Sequence, residues 1–311
     1  PTAVKMPAAL YGAARVNSRG WDLHNLTDLA QIDAARDPWK GHYWEFESGD
    51  GPKVVITNPC DWTDVVGSVV YATKEAAQAV MAAARTWDAP VAVRTEVLNA
   101  AADLYEANFG LLFAVLCREA GKTPADCIGE LREAVDFLRY YASEAKRQPE
   151  FQARGVFACI SPWNFPLAIF TGQIAAALAV GNGVVAKPAE STSLTALLAT
   201  QLLHRAGVPL DVLQVIAGTG AEVGATLSSD PKIAGICFTG STATAQHINR
   251  AMAQSLAPEA PLIAETGGLN AMIVDSTALP EQVTRDVVAS AFQSAGQRCS
   301  ALRVLYIQDD V

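Results

Sequence analysis

Cys299 stands in the run Ser294-Ala295-Gly296-Gln297-Arg298-Cys299-Ser300, among small and polar neighbours, between a helix-like and a strand-like segment. A thiol in such a turn can be reached by a substrate, and its thiolate adds readily to a carbonyl and leaves readily from a thioester. Taken alone, a free cysteine is more often a small buried hydrophobe than a nucleophile. Two polar residues far upstream give this one a chemical setting. Asn164, in Ser-Pro-Trp-Asn-Phe-Pro, sits in a proline-flanked turn after a β-rich run, where its amide can donate to an oxygen that gains negative charge during thiolate addition. Glu265, in Glu-Thr-Gly-Gly, can deprotonate the water that hydrolyses a thioester, and the glycines after it permit close backbone approach to a ligand.

Lys187 and Glu190, in Lys-Pro-Ala-Glu, end another strand-like run. A carboxylate there can accept both hydroxyls of an adenine ribose and would repel a 2′-phosphate, which favours NAD over NADP. A surface ion pair is the competing explanation for any Lys-x-x-Glu. Of the other cysteines, Cys117, Cys159 and Cys237 fall in apolar strand or helix patterns and read as inert, with Cys127 on a helix and Cys60 in a turn. No Cys-x-x-Cys spacing occurs, so the six suggest reduced thiols of the cytoplasm and neither a disulfide framework nor a zinc site.

These residues need a scaffold. From residue 155, short apolar β-rich runs (155–161, 183–186, 212–217, 233–238 and 262–264) alternate with helical patterns (167–180, 191–206, 221–228 and 242–256). Such alternation predicts an α/β fold, a Rossmann-like doubly wound parallel sheet with ligands at the carboxyl ends of its strands. Every motif above falls at such an end. Gly220 and Gly224 lie in a Gly-x-Gly-x-x-x-Gly run that is weak evidence for a phosphate loop.

Upstream, strands are expected at 53–57 and 65–71 around the turn Asn58-Pro59. Helices are expected at 74–87 behind a Thr73 cap, at 90–120 up to Gly121, and at 124–146 with Leu131, Val135, Leu138 and Ala142 on one face. Residues 1–52 read as an irregular arm that wraps on something else. After Gly268 the pattern gives a strand at 271–274, a helix at 280–295, the cysteine turn, and a strand at 303–307 expected to lack a partner.

Half of the 311 residues are hydrophobic and 18% are charged, which fits a packed core and argues against disorder. A net charge of −9 without a basic stripe argues against nucleic-acid binding. The most apolar run, 165–180, is short for a membrane span and reads as a buried helix. The start of the chain carries no basic-plus-apolar leader, so secretion is not expected.

In order along the chain, Asn164, Lys187 with Glu190, Phe238-Thr239-Gly240-Ser241, Glu265 and Cys299 resemble an aldehyde dehydrogenase. The runs 263–275 and 290–303 resemble bacterial proline utilization A proteins in particular. So does Leu10-Tyr11-Gly12 with 15–22, which in those proteins connects a proline dehydrogenase module to an aldehyde dehydrogenase module. The resemblance implies NAD-dependent oxidation of L-glutamate 5-semialdehyde, the hydrolysed form of 1-pyrroline-5-carboxylate, to glutamate. It assigns the nucleophile to Cys299, the oxyanion amide to Asn164 and the water-activating base to Glu265, whose 34-position separation from Cys299 matches the family.

It also places cofactor contacts at Ser161, Trp163, Lys187, Glu190, Gly220, Gly224, Gly240, Ser241, Glu265 and Gly267, with the pyrophosphate at the helix after Gly240-Ser241. Substrate contacts fall to Glu133 and Ser300, although a solvated helix-surface glutamate also explains Glu133. The implied partners are a small aldehyde, a proline dehydrogenase module of the same polypeptide and further copies of the chain. The implied location is the cytoplasm, with the parent peripheral to the inner membrane.

The family motifs that hold the nicotinamide ribose and the substrate carboxylate fall beyond residue 311, so the chain reads as part of a larger enzyme. Its expected organisation is an arm or inter-module linker (1–52), an NAD-binding domain with flanking helices (53–268), and the start of an incomplete second α/β domain carrying the nucleophile (269–311). A non-catalytic NAD-binding fragment is the alternative from a different functional class. A CoA-acylating enzyme is disfavoured, since that reaction does not need Glu265.

Overall fold

The computed structural model describes residues 4–310, so residues 1–3 of the expected arm and residue 311 lie outside the described residues. The arm is more regular than its prolines and glycines predict. Asn25 accepts a hydrogen bond from the Thr27 amide and caps α1 (Leu26–Arg36); a strand, β1 (Trp44–Glu47), follows. α1 escapes a periodicity reading because it buries only Ile32. It crosses the later chain where no side chain would fit: a Cβ on Gly110 would lie 2.2 Å from the Ala35 carbonyl oxygen. The segment before it wraps on helices of the same chain. Ser18 donates from its amide and hydroxyl to Asp136, and Trp21 buries against Phe109 and Phe113.

β2 (Lys53–Asn58) and β3 (Asp61–Val70), which starts four residues before the expected 65, pair antiparallel around the expected turn, and β1 adds to β3 in parallel. Thr73 caps α2 (Lys74–Ala83), which ends four residues before the expected Trp87. The single helix expected over 90–120 is two, α3 (Val91–Ala107) and α4 (Phe109–Ala120), bent by 70°. Asn108 marks the bend. Its Nδ2 donates back to the Leu104 carbonyl, and Phe109 turns onto Trp21. Gly121 adopts the left-handed φ of 64° that ends α4. Thr123 and Asp126 then form a reciprocal capping box for α5 (Pro124–Arg147), along which Leu131, Val135, Leu138 and Ala142 are buried as predicted.

There follow β4 (Val156–Ile160), α6 (Ala168–Ala179), β5 (Gly183–Lys187), α7 (Ser193–Ala206), β6 (Leu213–Val215), α8 (Ala225–Ser229), β7 (Ile233–Thr239), α9 (Thr242–Ser255) and β8 (Leu262–Glu265). A π-turn over Gly220–Gly224 replaces the start of the helix expected from 221. The five strands form a parallel sheet in the order β6-β5-β4-β7-β8. Successive side chains feed opposite faces. Phe157, Cys159, Val184 and Ala186 join the core made with α3, α5, α6 and α7, whereas Val156, Ala158, Ile160 and Val185 join α2, α8 and α9. The sheet is therefore doubly wound, as predicted. Its strand order reverses between β4 and β7, the position at which such sheets hold ligands.

β9 (Asn270–Val274), α10 (Pro280–Phe292) and β10 (Leu302–Ile307) come last. The expectation of an unpartnered final strand is overturned: β10 pairs in parallel with β9, Leu305 opposite Met272, in a separate two-stranded sheet. A parallel pair closed through a helix leaves no hairpin signal in the sequence, which is why the pairing was not foreseen. α10 stops at Phe292 instead of 295, and a 3-10 turn follows in which Ser294 and Ala295 both adopt φ of 55°. Among the described residues no single helix is long and apolar enough to cross a membrane, and the most apolar one, α6, is largely buried.

Candidate active site

Sheet register lines up the residues that matter. Ile160 at the end of β4 lies opposite both Lys187 and Phe238, and Thr239 lies opposite Glu265. Just past these ends the Ser161 amide donates to the Lys187 carbonyl and the Gly240 amide to the Glu265 carbonyl, each at 3.1 Å. The Asn164 loop, Lys187, Gly240 and Glu265 thus share one edge of the sheet.

A cleft of about 330 Å³ opens at that edge; Ser161, Trp163, Lys187, Glu190, Gly220 and Gly224 line it, whereas Gly240, Ser241, Glu265 and Gly267 do not. Glu190 is solvent-exposed, and one of its carboxylate oxygens accepts from the Gly220 amide at 2.5 Å. Lys187 is buried and donates to the Pro188 carbonyl at 3.0 Å; burial pulls its ammonium below the usual range, with the Glu190 charge opposing. The Ser161 hydroxyl is buried without a protein partner. Ser241 caps α9, accepting from the Thr244 amide.

An exposed carboxylate that accepts, with a buried ammonium and an unspent hydroxyl that donate, fits a dinucleotide. Gly240 has a reason of its own: a Cβ there would lie 2.6 Å from the Phe238 ring, so packing requires the glycine whether or not a phosphate approaches. Thr244 and His247, which also line the cleft, were missed. They sit three and six positions beyond Ser241 on one face of α9, and only the helix start was legible.

A larger cleft of about 760 Å³ adjoins the first, with Trp163 and Ser191 lining both. Asn164, Gln293 and Gln297 line it as well. Asn164 Nδ2 donates to the Gln297 carbonyl at 2.6 Å, which ties the predicted oxyanion amide to the segment two residues before Cys299. A primary amide carries a second N–H. Cys299 is exposed, and Asn270 Nδ2 donates to the carbonyls of Cys299 and Ala301 at 2.7 and 3.0 Å. Glu265 and Ser300 are exposed, and no chain atom crowds the place of a Cβ on Gly267. Glu133 lines a neighbouring hollow of about 580 Å³ with Arg15, Arg132 and Asp136, and the hollow shares Ala125 with the larger cleft. Crowding by its surroundings pushes its carboxyl up although its own side chain reaches solvent, while Arg298 and Lys122 oppose the shift.

Cys159 and Cys237 are buried register partners across β4 and β7, in keeping with an inert role. Cys117 Sγ lies 3.6 Å from that of Cys127, and the hydrogen bond between them pulls the half-buried Cys117 thiol down, as the bond to Cys159 does for Cys237.

Three charged residues escaped sequence reading because Lys and Glu near helix ends normally face water. Glu119 is buried at the end of α4 and accepts from the Leu194 and Thr195 amides and the Thr195 hydroxyl. Glu130 accepts from the Leu167 and Ala168 amides at the start of α6. Burial pushes both carboxyls up to about 7. Lys122 Nζ lies 3.1 Å from Glu130 Oε1 and donates to the Asn164 carbonyl at 2.5 Å.

The model of the aldehyde dehydrogenase family matches residues 46–311. The chain belongs to the aldehyde dehydrogenase family. Among curated aldehyde dehydrogenase relatives, the bifunctional protein PutA of Escherichia coli K12 is 49% identical over 325 residues, covering 99% of this chain and 25% of that protein. The 1-pyrroline-5-carboxylate dehydrogenase of Geobacillus kaustophilus is 36% identical over 283 residues, covering 83% of this chain and 55% of that protein. The chain thus spans a quarter of the first relative and just over half of the second. A crystal structure of 1-pyrroline-5-carboxylate dehydrogenase from Thermus with bound NAD matches with a TM-score of 0.88 at 32% identity, over 94% of this chain and 63% of that one.

Proposed function

We propose that this chain supplies the nucleotide-binding half and the nucleophile of an NAD-dependent enzyme that oxidises L-glutamate 5-semialdehyde to L-glutamate, the second step of proline catabolism. The observation that carries this reading is the hydrogen bond from Asn164 to Gln297, which joins a sheet-edge amide to the cysteine segment. The names of the relatives, PutA and 1-pyrroline-5-carboxylate dehydrogenase, supply the substrate class.

NAD, when bound, supplies the hydride acceptor. The chain's residues do the rest. The Cys299 thiolate adds to the aldehyde carbon, and the carbonyl oxygen takes up the negative charge. The second N–H of Asn164 Nδ2 and the Cys299 amide donate to that oxygen. Loss of hydride from the same carbon leaves a thioester on Cys299. Glu265 then takes a proton from water, the water oxygen attacks the thioester carbon, and the thiolate departs with release of the acid.

Glu190 would receive the adenine ribose hydroxyls, with Lys187, Ser161, Gly220 and Gly224 around them. Trp163 would wall the nucleotide side, Gly240 and Ser241 would hold the pyrophosphate, and Gly267 would leave room for the nicotinamide. Glu133 faces the substrate amino group, and Ser300 lies beside the reacting carbon. A proline dehydrogenase module of the same polypeptide is the proposed source of substrate, in a homo-oligomer of the cytoplasm, where six unpaired thiols are at home.

A second reading is an NAD-binding protein without turnover. The test is NADH formation from NAD and glutamate semialdehyde by the full-length gene product. Cys299→Ala should cost about a thousandfold or more in kcat with NAD affinity retained. Unchanged turnover would remove Cys299 as the nucleophile, and NAD binding without NADH formation by the wild type would select the second reading.

A further inference from the structure

The loop that carries Asn164 is held at both ends by one buried ion pair. Lys122 and Glu130 keep only 6% and 1% of their side-chain surface in solvent, and their charged atoms are 3.1 Å apart. Lys122 Nζ donates to the carbonyl of Asn164 itself and lies 4.7 Å from the centre of the Phe165 ring. Glu130 Oε2 accepts from the amides of Ala168 at 2.8 Å and Leu167 at 3.3 Å, where α6 begins. Residues 164–168 are thereby pinned from one side by a cation and from the other by its counter-ion.

The clamp is itself fixed. Lys122 follows the left-handed Gly121, and the Thr123–Asp126 capping box comes directly after it. Asp126 also accepts from Gln293 at 3.3 Å, which ties the clamp to the cysteine-bearing segment. Removing two charges from water is costly, and an apolar pair of similar volume would often serve stability as well or better. A buried ion pair directed onto one backbone carbonyl therefore needs a further reason.

We propose that Lys122 and Glu130 are positioning residues for the Asn164 amide, setting where its free N–H meets the developing oxyanion. This rests on the role proposed above for Asn164. Neither residue touches the reacting atoms. Lys122 acts through the carbonyl of Asn164 and Glu130 through the Leu167 and Ala168 amides that end the same loop, and a donor displaced by a fraction of an ångström from the oxyanion loses much of its effect on the transition state while barely changing substrate binding.

The test is a double-mutant cycle in the full-length gene product, with pre-steady-state NADH formation as the readout. Lys122→Met should lower kcat about tenfold or more, with KM for aldehyde and NAD within about threefold. Lys122→Arg should restore part of the loss. In an Asn164→Ala background, Lys122→Met should change the rate by less than about twofold, because the group it positions is gone. The rate of Cys299 alkylation should stay unchanged.

If Lys122→Met leaves too little folded protein, the Lys122→Met/Glu130→Gln pair removes both charges together and takes its place in the cycle. Equal losses with and without Asn164, or a loss confined to KM, would overturn the positioning role while leaving Asn164 in place. A wild-type rate for Asn164→Ala alone would instead bring down the oxyanion role and the clamp with it.

Discussion

The two sides of the candidate site are held in place by different physics. On the nucleotide side, β4 and β5 are buried at every position, and α6 and α7 bury most of theirs. On the thiol side, α10 has no buried residue, and β9 and β10 bury only Val274 and Leu302. That segment is located instead by polar contacts onto its backbone carbonyls: Asn164 to Gln297, Asn270 to Cys299 and Ala301, and Arg303 to Gly296. Asn164 stands between the two: half-buried at the end of the packed sheet, it lines the larger cleft and its amide reaches the cysteine segment.

Core truncation gives the largest contrast. Leu178→Ala in α6, at a site with no solvent exposure, should cost about 3–5 kcal/mol in denaturant unfolding. Val288→Ala in α10, 55% exposed, should cost less than about 0.5 kcal/mol. Comparable costs would mean that the thiol side shares the core after all.

The next contrast is in pH. Glu119 is raised by burial from an ordinary value of 4.5 to about 7, so the folded chain binds the proton more tightly than the unfolded one. Its stabilisation is fully present below about pH 4.5, is lost as pH rises through 7 and is level above, a fall on the order of 3 kcal/mol. Unfolding midpoints followed from pH 5 to pH 8 should decline, and Glu119→Gln should flatten part of that slope. A rise over the same window would contradict the burial of this carboxyl.

Smaller effects probe the turn. Asn270→Ala deletes two hydrogen bonds to the cysteine segment and should cost about 1–2 kcal/mol locally. Amide exchange over 296–302 should quicken about tenfold while exchange in α6 stays as it was. Ala295→Gly should stabilise by about 0.5–1 kcal/mol in denaturant melts, because alanine at φ of 55° is strained and glycine is not. Destabilisation by Ala295→Gly would mean that the alanine methyl is needed for packing.

The same division governed what the sequence disclosed. Buried strands announce themselves as apolar runs between turn residues, so all five strands of the large sheet were legible to within a few residues, as were the Thr73 cap and the Gly121 stop. The bend at Asn108 was not read, although Asn108 and Gly110 flank it, because an isolated Asn or Gly is tolerated inside a helical pattern and the turn is completed by Phe109 packing onto Trp21. α1 was hidden by an almost wholly exposed surface. Parallel pairing of β9 with β10 has no local signal. At the site, motif residues at strand ends could be named beforehand. The clamp of Lys122 and Glu130 could not, since its burial is a property of three helices meeting and not of either residue's neighbours in sequence.

The central claim is that Cys299 carries the acyl group that Glu265 helps water remove. Mass spectrometry of acid-quenched Glu265→Gln protein, full-length and mixed with NAD and glutamate semialdehyde, tests it directly. One NADH should form per site, and the glutamyl thioester should accumulate on the peptide containing Cys299. Continuous turnover at the wild-type rate, or an adduct on any other residue, would contradict the account.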